Sequence, residues 1–397
     1  MTKFFLNHCG IICALGSQHH DIQQRLFTQA RSGVEMTDAW SKGKSLPLGC
    51  VTSILPDLAK FPLKLRSRNN QLAMAALQQI RVAVDAAIAQ YGAHRIGIVL
   101  GTSTSGISDT ERALQQYAES GVLPSAFHYG QQEMGSVAHF LATELKVRGP
   151  AYVHSSACSS SAKAMASAAR LISMGLCDAV ITGGVDSLCA FTVAGFSALE
   201  SVSGSICQPM SRRRDGINIG EGAALFLMTK ETSRVALVGW GESSDGHHMS
   251  APDPSGEGAR IAIEQALKRA AISYPEIDYI NLHGTATIQN DAMESRVVHR
   301  LFGDKVFASS SKPLTGHALG AAAAIEAALC WISMQDDNPL GQIPAHLWDG
   351  EIDPELPTIK LSETHSQLGR PIRYALSNSF AFGGSNACLI LGRTHDE

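Results

Sequence analysis

The chain has 397 residues, 45% of them hydrophobic and 17% charged, and a net charge of −4 at pH 7. This composition excludes intrinsic disorder, and the small negative charge gives no support to a nucleic-acid-binding protein. The nine cysteines include no Cys-x-x-Cys pair, which argues against a disulfide framework and a zinc ribbon. We therefore expect a cytoplasmic protein with reduced thiols, no secretion signal and no membrane-spanning helix.

Strand and helix signals alternate along the first half of the chain, which is the pattern of an α/β fold. The predicted elements are, in chain order, a helix over 69–91, a strand over 96–100, a helix over 131–146, a strand leading into Cys158, a helix to about Gly175, and strands over 178–182 and 223–229. The strand over 178–182 is expected to stop at Gly183, where two glycines follow one another.

The second half repeats this order. Its predicted elements are a strand over 235–240, a helix over 258–271, strands over 277–282 and 306–310, a helix from His317 through Leu329, and strands over 374–377 and 387–391. One strand in each half ends in a Gly-Thr pair, at Gly101 and at Gly284. This parallel indicates an ancient duplication, with two related halves over 1–232 and 233–397 and one active-site loop from each.

Cys158 lies at the predicted junction of a short strand and a helix rich in small residues. A helix N-terminus offers free N–H groups and the positive end of the dipole, and both favour a thiolate. The small neighbours Ser159 to Ala162 leave room for a substrate to approach the sulfur. We predict that Cys158 is a nucleophile; the alternative is a buried inert cysteine, which is how the other eight cysteines are interpreted.

Two histidines lie at similar junctions, His283 in Asn-Leu-His-Gly-Thr and His317 in Lys-Pro-Leu-Thr-Gly-His. Because His317 is predicted to begin a helix, the helix N-terminus should lower its pKa and keep its ring neutral. A neutral imidazole can donate an N–H to a carbonyl oxygen and stabilise an enolate. A cysteine and two histidines on three loops suggest acyl transfer through a thioester, although each histidine could instead be satisfied by backbone groups.

The run Asn378-Ser-Phe-Ala-Phe-Gly-Gly-Ser-Asn386 supplies a fourth candidate segment. Its adjacent glycines permit a turn that aims an N–H at an oxyanion, and an aromatic ring in that turn can gate a tunnel. The alternative is a plain turn between two strands.

These segments resemble the motifs of the β-ketoacyl-acyl-carrier-protein synthases, the Cys-His-His condensing enzymes of the thiolase superfamily. The matching motifs are Ser156-Ala-Cys158-Ser, His283 to Glu294, Lys312 to His317, and Asn378 to Asn386. A further segment from Ser211 to Ala223 also matches, and the order is kept along nearly the whole chain. The resemblance implies a thiolase-like duplicated αβαβα layered fold.

The resemblance also implies a decarboxylative Claisen condensation in fatty-acid or polyketide/polyene chain elongation. Cys158 would hold an acyl chain as a thioester, and its N–H would form an oxyanion hole with that of Phe382. His283 and His317 would assist loss of carbon dioxide from malonyl-carrier. Lys312 and Glu294 would organise the network behind the two histidines.

Further roles are implied for residues at the substrate entrance. Phe380 and Phe382 would form a gating turn, while Thr285 and Thr287 would bind the pantetheine arm. No bound cofactor or metal is implied, since the substrates arrive on the 4'-phosphopantetheine of acyl carrier protein. Thr104 falls where relatives often carry a bulky aliphatic residue in the acyl pocket, so we hypothesise a less conventional chain, unsaturated or aromatic-primed.

The expected partner is an acidic acyl carrier protein, which a basic surface should attract. The candidate docking residues form two clusters, one of Lys64, Arg66 and Arg68 and one that includes Arg212 and Arg213. The alternative for both clusters is ordinary solvated charge. A two-fold dimer is implied by the family, either a homodimer or a heterodimer with a related ketosynthase-like subunit.

Three other functions are compatible with parts of this pattern. A degradative thiolase is disfavoured because the turn at Phe380 lacks a second catalytic cysteine. A coenzyme-A-primed initiating synthase is disfavoured because His317 stands where such enzymes carry asparagine. A non-catalytic partner subunit, of the chain-length-factor type, remains the alternative, although such subunits lack the nucleophile that Cys158 provides.

Overall fold

A computed structural model describes residues 3–28 and 32–394. Within these ranges the strands are β1 (Phe4–Cys13), β2 (Val34–Thr37), β3 (Leu46–Gly49), β4 (Ile96–Gly101), β5 (Ala151–His154), β6 (Ala179–Asp186), β7 (Gly222–Thr229), β8 (Val235–Ser244), β9 (Tyr279–Asn281), β10 (Phe307–Ser309), β11 (Lys360–Leu361), β12 (Tyr374–Ala381) and β13 (Ser385–Arg393). The α-helices are α1 (His19–Phe27), α2 (Arg68–Tyr91), α3 (Ile107–Ser120), α4 (Ser136–Leu145), α5 (Ser160–Ser173), α6 (Ala190–Ala198), α7 (Glu257–Ala270), α8 (Ile288–Phe302), α9 (Lys312–Thr315) and α10 (Ala322–Ser333).

The order of the strands displays the predicted duplication. The first half is arranged in space as β1-β7-β6-β4-β5, and the second half as β8-β13-β12-β9-β10, followed by β11. The strands correspond one to one. In chain order, the positions of β1, β4, β5, β6 and β7 in the first half are occupied in the second half by β8, β9, β10, β12 and β13. The two halves therefore share one topology. They join through a short antiparallel pairing of Phe4 with Leu237 and Phe5 with Ala236. Residue 232, the predicted boundary, lies between β7 and β8, and the division there stays a prediction.

Alternate residues of the strands face two different cores, as strand geometry requires. In β7, Ala224, Phe226 and Met228 pack with the central helices α5 and α10, whereas Leu225 and Leu227 pack on the side of α2 and α4. The second half repeats this division, with β13 facing the central helices on one side and α7 and α8 on the other. The result is five layers in which the central pair, α5 and α10, is rich in alanine, so that both sheets can approach closely.

Helix α2 has the length and mean hydropathy (1.4) that could span a membrane by composition alone. Leu72, Leu77 and Val84 of this helix are fully buried and pack in the core with β1 and β7, whereas Val82 is 86% exposed to solvent. We therefore interpret α2 as a core helix of the outer layer.

Several predicted boundaries are wrong. The strands predicted over 235–240 and 374–377 continue to Ser244 and Ala381. Close packing explains the clearest case. Strand β6 does not stop at Gly183 but continues to Asp186. A Cβ at Gly183 would lie 2.0 Å from the carbonyl oxygen of Ala224, and one at Gly184 would lie 2.6 Å from the Ser161 side chain. The glycines therefore admit neighbouring elements rather than end the strand.

Two further errors concern helix starts. The helix predicted over 131–146 is preceded by a separate 3-10 turn, Tyr129–Gln131, and begins only at Ser136. The helix predicted to start at His317 is interrupted by a second 3-10 turn, Leu319–Ala321, so that α10 begins at Ala322.

Candidate active site

Cys158 lies in the tight connection between β5 and α5. Ala157 adopts a positive φ of 49°, which costs a residue with a Cβ about 1 kcal/mol and turns the chain sharply before the cysteine. The Ser160 hydroxyl accepts a hydrogen bond from Ser156 N at 2.9 Å and donates to the Ala157 carbonyl at 2.6 Å, which stabilises this turn. The side chain of Cys158 is thereby held against the second half of the protein, with only 4% of the residue exposed.

The two histidines converge on this sulfur. His317 Nε2 lies 2.9 Å from Cys158 Sγ, and the His283 and His317 rings pack edge to face with centroids 5.4 Å apart. His283 directly follows the strand region of β9, while the backbone N–H of His317 donates to Asn218 O at 2.6 Å. The structure thus brings together the three residues that sequence reasoning placed on separate loops.

Burial, not a helix end, keeps both imidazoles neutral. The pKa values of His283 and His317 are lowered well below the ordinary value, first by loss of solvent and then by the nearby Lys312 ammonium. The expected contribution of a helix N-terminus at His317 is wrong, because the turn Leu319–Ala321 separates this residue from α10. The predicted outcome, a neutral ring able to donate an N–H, nevertheless follows from burial.

The thiolate expected at Cys158 is likewise opposed by burial. Loss of solvent raises the pKa of the Cys158 thiol to about 12, although Lys312 and a hydrogen bond from the Phe382 N–H act in the opposite direction. The resting sulfur is therefore protonated at neutral pH, and its closest basic atom is His317 Nε2. Activation requires a proton acceptor rather than the helix dipole alone.

A buried ion pair lies behind the histidines. Lys312 Nζ donates to the His283 carbonyl at 2.8 Å and forms a short salt bridge with Glu326. Both side chains are 2% exposed, so their charges compensate one another in the interior. Sequence reasoning missed Glu326, although it is the one charged residue of the alanine-rich helix α10, and that isolation was the available signal.

Glu294 fixes the other side of His283. Its carboxylate accepts hydrogen bonds from His283 N at 2.8 Å, Gly284 N at 2.7 Å and Asn378 Nδ2 at 3.1 Å. Burial raises the pKa of Glu294 to about 7, while the three donors oppose that shift. Asn378, for which the sequence predicted no individual role, lies within β12 and links this strand to the histidine loop.

Asp186, at the end of β6, is a second residue that sequence reasoning missed. Its buried carboxylate accepts from Thr102 Oγ1 at 2.6 Å, Ser103 N at 2.8 Å and Gly320 N at 2.6 Å. It also binds both the N–H and the hydroxyl of Thr104 at 2.9 Å. Asp186 therefore ties the loop after His317 to the loop after β4.

The Asp186 contacts decide the position of Thr104. The residue is fully buried, its hydroxyl is used by Asp186, and it is not among the residues that line the cavity at Cys158. Its assignment to an acyl pocket stays a prediction.

A narrow cavity of about 40 Å³ opens at Cys158, and most of the residues predicted at the substrate entrance line it. The predicted site residues that line it are Cys158, His283, His317, Thr285, Thr287, Phe380 and Phe382. The hydroxyls of Thr285 and Thr287 lie 3.1 Å apart, and the Phe382 ring packs on Phe196 with centroids 5.4 Å apart. A larger surface groove of about 760 Å³ beside Trp240 shares no lining residue with this cavity.

The Cys158, His283 and His317 ligand atoms all lie within 4.8 Å of one another, a donor set that Zn²⁺ can use. The Lys312 ammonium bonded to the His283 carbonyl places a positive charge beside this set, which opposes a dication. The arrangement is better suited to moving protons and stabilising anions.

Comparison with known proteins gives the same interpretation as the geometry. Family models describe the N-terminal domain of beta-ketoacyl synthase over residues 58–233 and its C-terminal domain over residues 235–345. A chain of the complex of a ketosynthase (ApeO) with its chain length factor (ApeC) from Xenorhabdus doucetiae is 44% identical with a TM-score of 0.93, covering 99% of this chain and 98% of that one. The chain belongs to the β-ketoacyl synthase family.

Two relatives carry the name 3-oxoacyl-[acyl-carrier-protein] synthase 2. The one from Rhizobium meliloti (strain 1021) is 37% identical over 267 residues, an alignment that spans 62% of this chain and 62% of the relative. The one from Coxiella burnetii (strain RSA 493 / Nine Mile phase I) is 28% identical over 411 residues, spanning 98% and 97%. The family inferred from the motifs is confirmed, as are the thiolase-like α/β fold and the class of ketosynthase acyltransferases.

The candidate docking residues of this β-ketoacyl synthase differ in how far their charges are compensated by salt bridges within the chain. Arg68 forms a salt bridge with the buried Glu221, so its charge is compensated internally. Lys64 and Arg66 are exposed, although Arg66 also donates to the carbonyls of Phe61 and Ala59. Docking stays a prediction for all of them.

In the second basic cluster, the side chains of Arg212 and Arg213 are more than 60% exposed. Arg213 donates a hydrogen bond to Glu351 at 3.1 Å, and Arg212 lies 3.7 Å from the same carboxylate. They lie a few residues before Ile217, which lines the cavity. Exposure and this location make them the better candidates for contact with an incoming carrier.

Replacing His317 by asparagine should weaken the acid sensitivity of folding in this synthase. The folded state holds His317 unprotonated below its ordinary pKa, while the unfolded chain binds a proton below about pH 6.5. Stability from this group is therefore complete above pH 6.5 and is lost as pH falls, by up to about 1.4 kcal/mol per pH unit. Denaturant unfolding at about pH 5 and 6 gives the free energy of unfolding at each pH. Its change with pH should correspond to up to one proton fewer in the variant than in the parent.

Replacement of the exposed His94 by asparagine is the matched control. The pH dependence of its unfolding free energy should equal that of the parent. An unchanged pH dependence in the His317 variant would show that His317 is already protonated in the folded protein.

Proposed function

We propose that this β-ketoacyl synthase elongates an acyl chain held on Cys158 by decarboxylative condensation with a malonyl group carried by acyl carrier protein. The 2.9 Å approach of His317 Nε2 to Cys158 Sγ, with His283 packed against His317 in the same cavity, is the observation that carries this proposal. No cofactor enters the proposed reaction, because the carrier's 4'-phosphopantetheine brings both substrates.

In the first stage, the Cys158 sulfur gives up its proton and attacks the carbonyl carbon of the incoming acyl thioester. The carrier thiolate leaves and is protonated, which balances the proton lost from Cys158. The Phe382 N–H already points at the sulfur, so with the Cys158 N–H it is placed to stabilise the negative oxygen that forms beside it.

In the second stage, the neutral rings of His283 and His317 donate N–H groups to the thioester carbonyl oxygen of the malonyl group. The bond to the carboxylate breaks, carbon dioxide leaves, and its electron pair forms an enolate that the two donors stabilise. The enolate carbon attacks the acyl carbonyl, the carbon–sulfur bond to Cys158 breaks, and the released thiolate takes up one proton from solvent to restore the resting thiol. Lys312 and Glu294 hold the backbone on either side of His283 and so orient its ring.

The cavity of about 40 Å³ is much smaller than an acyl chain requires. Under this proposal, the turn that carries Phe380 and Phe382 moves to admit the chain, which is the gating role that the family resemblance implies. Thr285 and Thr287, which line the same cavity, would bind the pantetheine arm.

Intact-mass analysis after incubation with a panel of acyl carriers tests the proposal. One acyl adduct on Cys158, its loss on addition of malonyl-carrier, and release of carbon dioxide are expected together. Absence of any adduct, with Cys158 open to iodoacetamide, would overturn it. The adduct mass also tests the hypothesis of an unsaturated or aromatic-primed chain and separates fatty-acid from polyketide substrates.

We further propose a heterodimer with a ketosynthase-like subunit in the cytoplasm. The 44%-identical relative is a chain of a complex between a ketosynthase and its chain length factor, and this chain carries the assembled Cys158, His283 and His317 that a catalytic member requires. Large apolar side chains on α3 and α6 are exposed in the single chain, among them Tyr117 and Phe191 at 48% and 69%. Such exposure favours burial by a partner. Native mass spectrometry after co-expression with a candidate subunit would separate this assembly from a homodimer.

Charge reversal at the second basic cluster tests carrier docking. The double variant Arg212→Glu/Arg213→Glu should raise the KM for carrier-bound substrate about tenfold or more, since opposite surface charges steer association. The KM for a small soluble thioester should stay within about twofold. Arg81→Glu, a paired surface arginine within α2, is the control. Equal effects on both substrates would refute docking at Arg212 and Arg213.

A further inference from the structure

The proposed oxyanion hole is assembled from two distant parts of the chain, and this inference rests on that proposed function. One N–H belongs to Cys158, before α5, and the other to Phe382, in the turn between β12 and β13. Loss of one such donor costs about 10²- to 10³-fold in rate, and productive geometry must be kept within about 0.5 Å. The two segments therefore need a direct connection that holds their spacing.

The structure contains such a connection, built from side chains that none of the proposed chemical steps uses. Lys163 Nζ donates to Ser385 Oγ at 2.6 Å, and Ser385 Oγ lies 3.0 Å from Ser159 Oγ. Ser159 Oγ in turn donates to the Ser156 carbonyl at 2.9 Å. Ser159 is the neighbour of Cys158, and Ser385 directly follows the turn that begins at Phe382. This series of hydrogen bonds therefore joins the two parts of the oxyanion hole.

The direction of these hydrogen bonds follows from the charged end. Lys163 can only donate, so Ser385 Oγ accepts from it and uses its own proton toward Ser159. Ser159 accepts that bond and uses its proton toward the Ser156 carbonyl. The protons of both hydroxyls are thus assigned, and the Ser156 hydroxyl, 3.2 Å from Ser159 Oγ, is left to donate to it. This removes the alternative orientations that a series of neutral hydroxyls would have.

The connection also supports the strained turn at the nucleophile. It ends on the Ser156 carbonyl, next to Ala157 with its φ of 49°, and it begins one helical turn after Ser159 on the same face of α5. On the other side, Gly383 and Gly384 have φ values of 79° and 71°, so this turn has little intrinsic preference for one shape. A charged donor bound to Ser385 compensates for that freedom.

We propose that Lys163 is a positioning residue that sets the spacing of the Cys158 and Phe382 N–H groups through the hydroxyls of Ser385 and Ser159. Lys163 is half-buried and touches none of the reacting groups, so its effect is exerted through the geometry of the oxyanion hole. Steps that create a negative oxygen at the acyl carbonyl depend on it. Decarboxylation of malonyl-carrier depends on His283 and His317 and does not.

Lys163→Met keeps the aliphatic stem but removes the donor, and it should lower kcat for acyl transfer to Cys158 and for condensation by about 10- to 100-fold. The KM for acyl carrier and the rate of uncoupled malonyl decarboxylation should each stay within about twofold. Lys163→Arg, which retains a charged donor, should recover most of the lost rate. Ser385→Ala should reproduce the Lys163→Met defect, and the double variant should be no worse than either single variant.

Arg170→Met is the matched control, because Arg170 lies two turns further along α5 and bonds to Glu242, whose charge also acts on Lys163. It removes a cation near the same carboxylate without touching Ser385. A Lys163→Met rate equal to that of Arg170→Met, or a parallel loss of decarboxylation, would overturn the proposal. Failure of the parent protein itself to form an acyl adduct on Cys158 would instead refute the proposed function, which keeps the two outcomes distinct.

Discussion

Replacing Cys158 by alanine should abolish condensation, with a rate loss of at least about 10⁴-fold, because no other group can hold the acyl chain at this position. Decarboxylation of malonyl-carrier should continue, since the neutral rings of His283 and His317 are set by burial and by Lys312 rather than by the sulfur. Elongated product and released carbon dioxide are measured in the same incubation, so that the two reactions are separated directly.

Cys50 supplies the control for this variant, since it is a partly exposed thiol that is not among the residues lining the cavity. Cys50→Ala should retain condensation and a single acyl adduct. Condensation that survives in Cys158→Ala would mean that another residue carries the chain. Loss of decarboxylation together with condensation would mean that Cys158 also shapes the histidine pair.

Replacing Lys312 by methionine should cost both stability and activity. Glu326 would remain buried without its partner, which typically destabilises a protein by about 3–5 kcal/mol. The His283 carbonyl would also lose its donor, and we expect kcat to fall at least about 100-fold because the ring is no longer held in place. Denaturant unfolding and steady-state kinetics measure the two effects separately.

The double variant Lys312→Met/Glu326→Met separates these two roles. It removes both charges, so most of the lost stability should return, since replacing a whole buried ion pair by apolar residues is often close to neutral. Activity should not return, because the donor to His283 is still missing. A double variant as unstable as the sum of its singles would contradict the compensation between Lys312 and Glu326, and recovered activity would contradict the orienting role of Lys312.

Local motifs made much of the site predictable. Cys158, His283, Lys312, His317 and Phe382 each lie in a short run whose glycines, threonines and small residues are adjacent in the sequence, and the structure brings these runs together around one cavity. The alternation of strands and helices was equally predictable, because the spacing of hydrophobic residues that distinguishes a strand from a helix is visible within a short stretch of sequence. What failed were boundaries such as Gly183, where the reason for the glycine is a neighbouring strand that the local sequence does not reveal.

Contacts between distant residues were not predictable in the same way. Glu326 compensates Lys312, Asp186 ties Gly320 to Thr104, and Lys163 reaches Ser385, each across a gap that only the folded chain closes. His317 illustrates the difference within one prediction, because its neutrality was expected from a helix end and burial is the first cause of its lowered pKa.

The sequence by itself determined the family, the α/β layering and the side chains available for chemistry, because motif spacing and hydrophobic periodicity are properties of neighbouring residues. Only the tertiary structure decided the protonation of Cys158, the partner of its sulfur and the connection between the two parts of the proposed oxyanion hole. These properties depend on solvent exclusion and on groups from both halves of the chain. They come into existence only when the two sheets close on the central helices.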